Sequence, residues 1–124
     1  MPITKPEDAH RLFAEAFNAD NLDALVALYE PEAHLVSQQN QVQVGPDAIR
    51  NTLKEFLALR GKIFMDTYYA FEAGDIALLR SHWNVVGTGP DGKLLEMQGK
   101  GVEVLRRQSD GTWRFIIDHP FGGE

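Results

Sequence analysis

Apolar positions recur every three or four residues through the first sixty, then alternate or run on continuously beyond Lys62. That change of period divides the chain into a helical part and a strand-bearing part. In the first, Leu12, Phe13, Ala16 and Phe17 form one helical stripe. Thr4 and Glu7 ahead of it have capping-box spacing, and Pro6 sits in the first turn, where a missing N–H does no harm. "NADN" interrupts, and Asp20 is the expected N-cap of a second helix with Leu22, Leu25, Val26 and Tyr29 on one side, closed by Pro31. Residues 33–37 and 42–44 read as two short strands. Gly45-Pro46-Asp47 opens a third helix that buries Ile49, Leu53, Phe56 and Leu57, with Gly61 as its stop.

Four apolar runs follow, 62–72, 76–87, 94–107 and 113–118, separated by the turn sequences "AGD", "GTGPDG" and "SDG". Short connections imply antiparallel neighbours. The predicted class is α+β, with three helices laid over one strongly bent antiparallel sheet. At ~3.3 Å per residue such runs are too long to stay flat over a small core. Gly99 and Gly101 are the expected bend points.

Composition narrows the function without naming it. The chain has 124 residues, so one domain spanning 1–124 is expected. There is no cysteine, which removes disulfides and thiolate chemistry. The net charge of −6 repels phosphate backbones, so nucleic acid is not an expected partner. No apolar run approaches the ~20 residues of a membrane span. "MPITKPEDAH" lacks the apolar core of a secretory signal, so the expected location is cytoplasmic.

The last hairpin brings chemistry into view. A two-residue turn at Asp110-Gly111 pairs Gln108 with Trp113, Leu105 with Ile116 and Glu103 with Asp118. Two carboxylates then lie side by side on one face. Like charges in that relation repel, and the usual relief is that one keeps its proton. A protonated acid beside an ionised one is what general acid–base chemistry uses. One hairpin back, a two-residue turn in "PDG" puts Leu78, Arg80, His82 and Asn84 on the same face. Arg80 or His82 would then stand beside Gly101 or Gly99, leaving room for a ligand. The opposite reading is equally open: the face with Val102, Val104, Trp113, Phe115 and Ile117 is more apolar, and if it covers the helices the two acids are solvated. A three-residue bulged turn would break the Glu103–Asp118 pairing.

Other constellations are weaker. The four histidines, His10, His34, His82 and His119, lack zinc-helix spacing, and a site from His34, His82 and Asp118 is the remaining metal option; no metal and no cofactor are expected. Trp83 alternates onto the apolar face with Val85. "GTGPDG" lacks the spacing of a phosphate loop, and Ser37 has no activating base.

The segments "ALYEPEAHLV", "VGPDAIRNTL" and "GVEVLRRQSDGTWRFIIDHPFG", with the order of elements, resemble the nuclear-transport-factor-2-like superfamily. That group includes ketosteroid isomerases, SnoaL-like polyketide cyclases and scytalone dehydratase. The resemblance implies a cone-shaped, cystatin-like fold with an apolar pocket on the concave face and a homodimer through the convex one, here Val102, Val104, Phe115 and Ile117. Carried over by residue, the isomerase's oxyanion tyrosine falls at Phe13 and its base at Ser37, neither of which has the required group. Its protonated aspartic acid falls at Glu103, and a pocket tyrosine of the second helix at Tyr29. The catalytic aspartate of SnoaL-like cyclases falls at Asp118. The resemblance thus implies an isomerase, cyclase or dehydratase acting on a small, largely apolar carbonyl metabolite, with Asp118 and Glu103 catalytic. Phe13, Tyr29, Ser37, Arg80, His82 and Ile116 are the expected substrate contacts. The alternative is a non-catalytic dimeric module that binds a ligand or supports assembly.

Overall fold

The four long runs form β3 (Lys62–Ala73), β4 (Ile76–Thr88), β5 (Leu94–Arg107) and β6 (Trp113–His119), an antiparallel meander in a computed structural model that describes residues 2–37 and 39–124. Ahead of them lie α1 (Ala9–Asn18), α2 (Leu22–Val26), β1 (Tyr29–Val36), β2 (Val42–Val44) and α3 (Pro46–Leu57). The strand order is β2-β1-β6-β5-β4-β3. β1 runs parallel to β6, so the sheet is mixed rather than wholly antiparallel. Short connections dictate direction only between consecutive strands, and β1 reaches β6 after the whole meander has intervened.

Local chemistry explains most boundaries and corrects several. The first turn is a 3-10 turn at Pro6–Asp8 entered from Lys5 with no side-chain cap, so Thr4 does not close a capping box. Asn21, not Asp20, caps α2, accepting from the Ala24 N–H at 3.1 Å. α2 stops at Val26, and Tyr29 opens β1 opposite Phe115 instead of closing a helix. Pro31 sits inside β1, between Tyr29 and His34 where pairing with β6 lapses, so its missing N–H breaks no ladder bond. The stripes of α1 and α3 cover the concave face, burying Phe13, Phe17, Ile49 and Leu53 against Leu35, Leu79, Leu105 and Phe115. No helix among the described residues is long and apolar enough to cross a membrane.

The two hairpins that build the site close in the same way. Gly89 N–H donates to Lys93 C=O at 2.8 Å and Gly92 N–H to Gly89 C=O at 3.0 Å; Gln108 N–H donates to Thr112 C=O at 2.6 Å and Gly111 N–H to Gln108 C=O at 3.0 Å. Each loop therefore has three residues, Pro90-Asp91-Gly92 and Ser109-Asp110-Gly111. Gly92 and Gly111 take the left-handed position, at φ +77° and +84°, that such a loop requires. Both registers are one residue away from the two-residue expectation.

In β4 that single step exchanges the faces. Leu79, Ser81 and Trp83 pair with Glu103, Gly101 and Gly99 and share their face, while Leu78, Arg80, His82 and Asn84 lie on the convex side. In β6 a bulge undoes the step. Phe115 pairs with Leu105, Ile116 is the extra residue, and from Ile117 onward the register returns, so Glu103 does stand opposite Asp118. The bulge also lets Trp113, Phe115 and Asp118 all face inward, which regular alternation forbids.

Candidate active site

Two carboxylates meet at the floor of the concave face. Glu103 is 4% exposed and Asp118 8%. Directly opposed on neighbouring strands, their Cβ atoms are ~4.5–5.5 Å apart. Their surroundings differ. Glu103 Oε2 accepts from the Ser81 hydroxyl at 2.9 Å, and Oε1 meets Nε2 of His10, which reaches down from α1. The His10 ring is itself fixed by Thr67 Oγ1, 2.6 Å from Nδ1. Among the described residues Asp118 has one partner, the Tyr29 hydroxyl, which donates to Oδ2 at 2.5 Å.

The carboxylates fit because β5 carries no side chain beside them. A Cβ at Gly101 would stand 2.3 Å from Glu103 Oε2 and 2.4 Å from Ser81 Oγ, and one at Gly99 would meet the Trp83 ring at 2.6 Å. The glycines expected to bend the strand thus make room for a serine and a tryptophan, and not for Arg80 or His82.

Burial and, after it, the negative charge of Glu103 push the Asp118 carboxyl up to about 7, against the opposing Tyr29 hydrogen bond. Burial, followed by the charge of Asp118, also raises the Tyr29 phenol well above its ordinary value, so Tyr29 stays a donor. Asp118 is thus the acid whose proton is held more tightly than an ordinary aspartate's, while Glu103 is held between Ser81 and His10.

The acids open onto a cavity of about 50 Å³ walled by Phe13, Phe17, Leu35, Ile63, Trp83 and Phe115, in which His10, Glu103 and Asp118 are the ionisable groups. That is well below the ~300–1,000 Å³ of pockets enclosing drug-sized ligands. It suits a few ordered waters or a small substrate.

Of the residues expected from sequence, Glu103, Asp118 and Phe13 line this cavity. Tyr29 lies behind Asp118 and orients it. Arg80 and His82 are on the convex side. Ile116 is taken up by the bulge and does not line the cavity. Ser37 lies beyond β1, where its hydroxyl accepts from the Gln41 N–H at 3.2 Å, and it too stands apart from the cavity. Trp83, expected on the opposite face, is a cavity wall. His34 and His82 share the outer face while Asp118 faces inward, so their metal option does not assemble. Among the described residues no three His, Asp or Glu side chains converge to hold a metal. Sequence reasoning missed His10, Ser81 and Thr67. The signal for His10 was present: it precedes Phe13 by three and Phe17 by seven, on the buried stripe of α1.

With this geometry in place, comparison with known proteins assigns the family. The model of the SnoaL-like domain matches residues 9–116, and the chain belongs to that family. Among solved structures it is similar to a ketosteroid isomerase-like protein from Erwinia carotovora atroseptica SCRI1043, at 19% identity and a TM-score of 0.81 over 92% of this chain and 90% of the other. It is also similar to a putative dehydratase of the NTF2-like family from Streptomyces avermitilis, at 20% identity and 0.74 over 90% and 88%. A third, at 22% identity and 0.75 over 90% and 81%, is a putative calcium/calmodulin dependent protein kinase II association domain from Xanthomonas campestris. At these identities the likeness establishes the fold alone. No curated protein matches the chain.

Proposed function

We propose that the chain is an acid–base enzyme that isomerises, cyclises or dehydrates a small, largely apolar carbonyl compound. One observation carries the reading: two buried carboxyls, Asp118 and Glu103, facing each other at the end of an apolar cavity, with the Asp118 proton held by burial up to about 7. Asp118 delivers or removes the proton at the carbon or hydroxyl of the substrate. Tyr29 keeps the Asp118 carboxyl oriented, and Glu103 holds the charge that keeps that proton in place. The similarity to an isomerase-like protein and to a putative dehydratase supports this class of chemistry. The cavity volume points to a substrate of few heavy atoms.

The test is a panel of small enones and β-hydroxy ketones incubated in D2O and followed by ¹H NMR. Isomerisation, water loss or deuterium uptake next to the carbonyl is expected with the wild type. In Asp118→Asn the rate should fall about 10²–10⁴-fold with the fold intact. Equal rates in the two proteins contradict the mechanism. Binding without turnover in either favours the second reading, a ligand-binding or assembly module.

That second reading has its own observation. Phe71, Leu78, Val104, Ile117, His34 and Val44 are register neighbours in one row across all six strands of the convex face. Five of them, Phe71, Leu78, Ile117, His34 and Val44, are exposed. Such a row is the signature of a contact surface, and we propose a second copy of the chain as its partner. Phe115, expected in this surface, is in the core instead. Sedimentation should give a dimer that Ile117→Lys converts to monomer; a wild-type monomer at high concentration contradicts it.

A further inference from the structure

His10 is a charge-capable side chain buried to 1% exposure that the acid–base reading above does not use. Both of its ring nitrogens are engaged, and they face different compartments. Nε2 meets Glu103 at the cavity floor, and Nδ1 meets Thr67 Oγ1, whose residue is exposed on β3. The ring lines the inner cavity and also the outer cleft between α1 and β3, which Thr67 shares with Arg11, Glu15, Asn18 and Asp66. Tyr29, on the far side of the pair, is buried and its hydroxyl ends on Asp118. Ser81 is wholly buried and its hydroxyl ends on Glu103. Among the described residues, the hydrogen-bonded path from Glu103 to the surface therefore runs through His10.

We propose that Thr67 and His10 form a proton relay that joins Glu103 to solvent in the α1–β3 cleft. The inference rests on the acid–base reading for its purpose and on geometry alone for its existence. A carboxylate only accepts, so Nε2 carries the hydrogen toward Glu103, and the Thr67 hydroxyl donates to Nδ1. For a proton to enter, a hydronium ion in the cleft protonates Thr67 Oγ1 and leaves water. Thr67 passes its own proton to Nδ1, and Nε2 passes its proton to Glu103 Oε1. Thr67 Oγ1 gains one hydrogen and loses one, the His10 ring gains one at Nδ1 and loses one at Nε2 and so changes tautomer, and Glu103 ends neutral. The reverse sequence returns the proton and restores the starting tautomer. Such a path lets Glu103, sealed under apolar walls, exchange protons without opening the cavity. A β-bulge at Tyr68 follows Thr67 directly, and bulges commonly re-aim a side chain beside a working site.

The experiment follows the His10 ring by ¹⁵N NMR in the full chain, measuring exchange of its N–H with water by saturation transfer, with no substrate present. Thr67→Val keeps the shape of the side chain and removes the hydroxyl. It should slow exchange about tenfold or more, the equivalent of losing one good hydrogen-bonded step. Thr67→Ser should restore it, and Ser81→Ala, which touches Glu103 from inside, should leave it near the wild-type rate. An N–H too broad to see in the wild type and sharp in Thr67→Val is the same result at faster exchange. Unchanged exchange in Thr67→Val, or equal slowing by Thr67→Ser, overturns the relay. Because no turnover is measured, failure here leaves the acid–base function standing, and inactivity on the ketone panel leaves the relay standing.

Discussion

The two strands that carry the acids reach the same place by different constructions. β5 runs straight to Glu103 through two glycines, and three side chains from three other elements, Ser81, His10 and through it Thr67, lock the carboxyl in position. β6 arrives through a bulge, and its Asp118 has a single tyrosine for company. One acid is anchored and accepts; the other is sparsely bonded and keeps a proton to about 7. The contrast teaches that two chemically similar groups a strand apart are made different by what their neighbours donate. The catalytic roles proposed above rest on that asymmetry.

The sharpest way to break the contrast is to make Asp118 unable to ionise. Its carboxyl lets go of its proton at about 7 when folded and near 3.8 otherwise. The folded chain thus binds more protons than the unfolded chain between those values, and stability falls as pH rises across that window. The fall is up to about 4 kcal/mol between pH 4 and pH 8. Asp118→Asn should flatten this dependence and be the more stable protein at pH 8, while losing turnover. Urea unfolding at the two pH values checks it, and a parallel pH dependence in the variant contradicts it.

Filling the space on the β5 side comes next. Gly101→Ala places a methyl against Glu103 and Ser81 and should cost about 1–3 kcal/mol, read as a lower thermal midpoint. The same change at exposed Gly74, where a Cβ meets nothing, tests backbone conformation without crowding. The smallest effect is on the β6 side. Tyr29→Phe removes the one donor to Asp118 and should cost about 1 kcal/mol. Since that donor opposes the upward shift, the Asp118 midpoint should move higher still.

Much of the architecture was legible because period and turn residues are local properties. The four long strands fall within a residue or two of their expected ends, and α3 begins at Pro46 as read. The parallel β1–β6 contact was not legible, because no short connection specifies it. At the site, the Glu103–Asp118 pairing was expected from a two-residue turn and is reached by a three-residue loop plus a compensating bulge at Ile116. The same loop chemistry before β5 has no compensating bulge, so Arg80 and His82 turn outward and Ser81 and Trp83 turn in. Side-chain period in a strand is two, so one residue of loop length decides which chemistry enters the cavity. His10 was missed because its partner lies across the fold on β5, a contact that no spacing within α1 encodes.

We propose that Asp118 is the acid that keeps its proton. Carboxyl-selective ¹³C NMR titration of the full chain measures it most directly. A Cγ resonance of Asp118 that moves with a midpoint near 7 is the predicted result. A midpoint near 3.8, the ordinary value for an aspartate, would contradict the account.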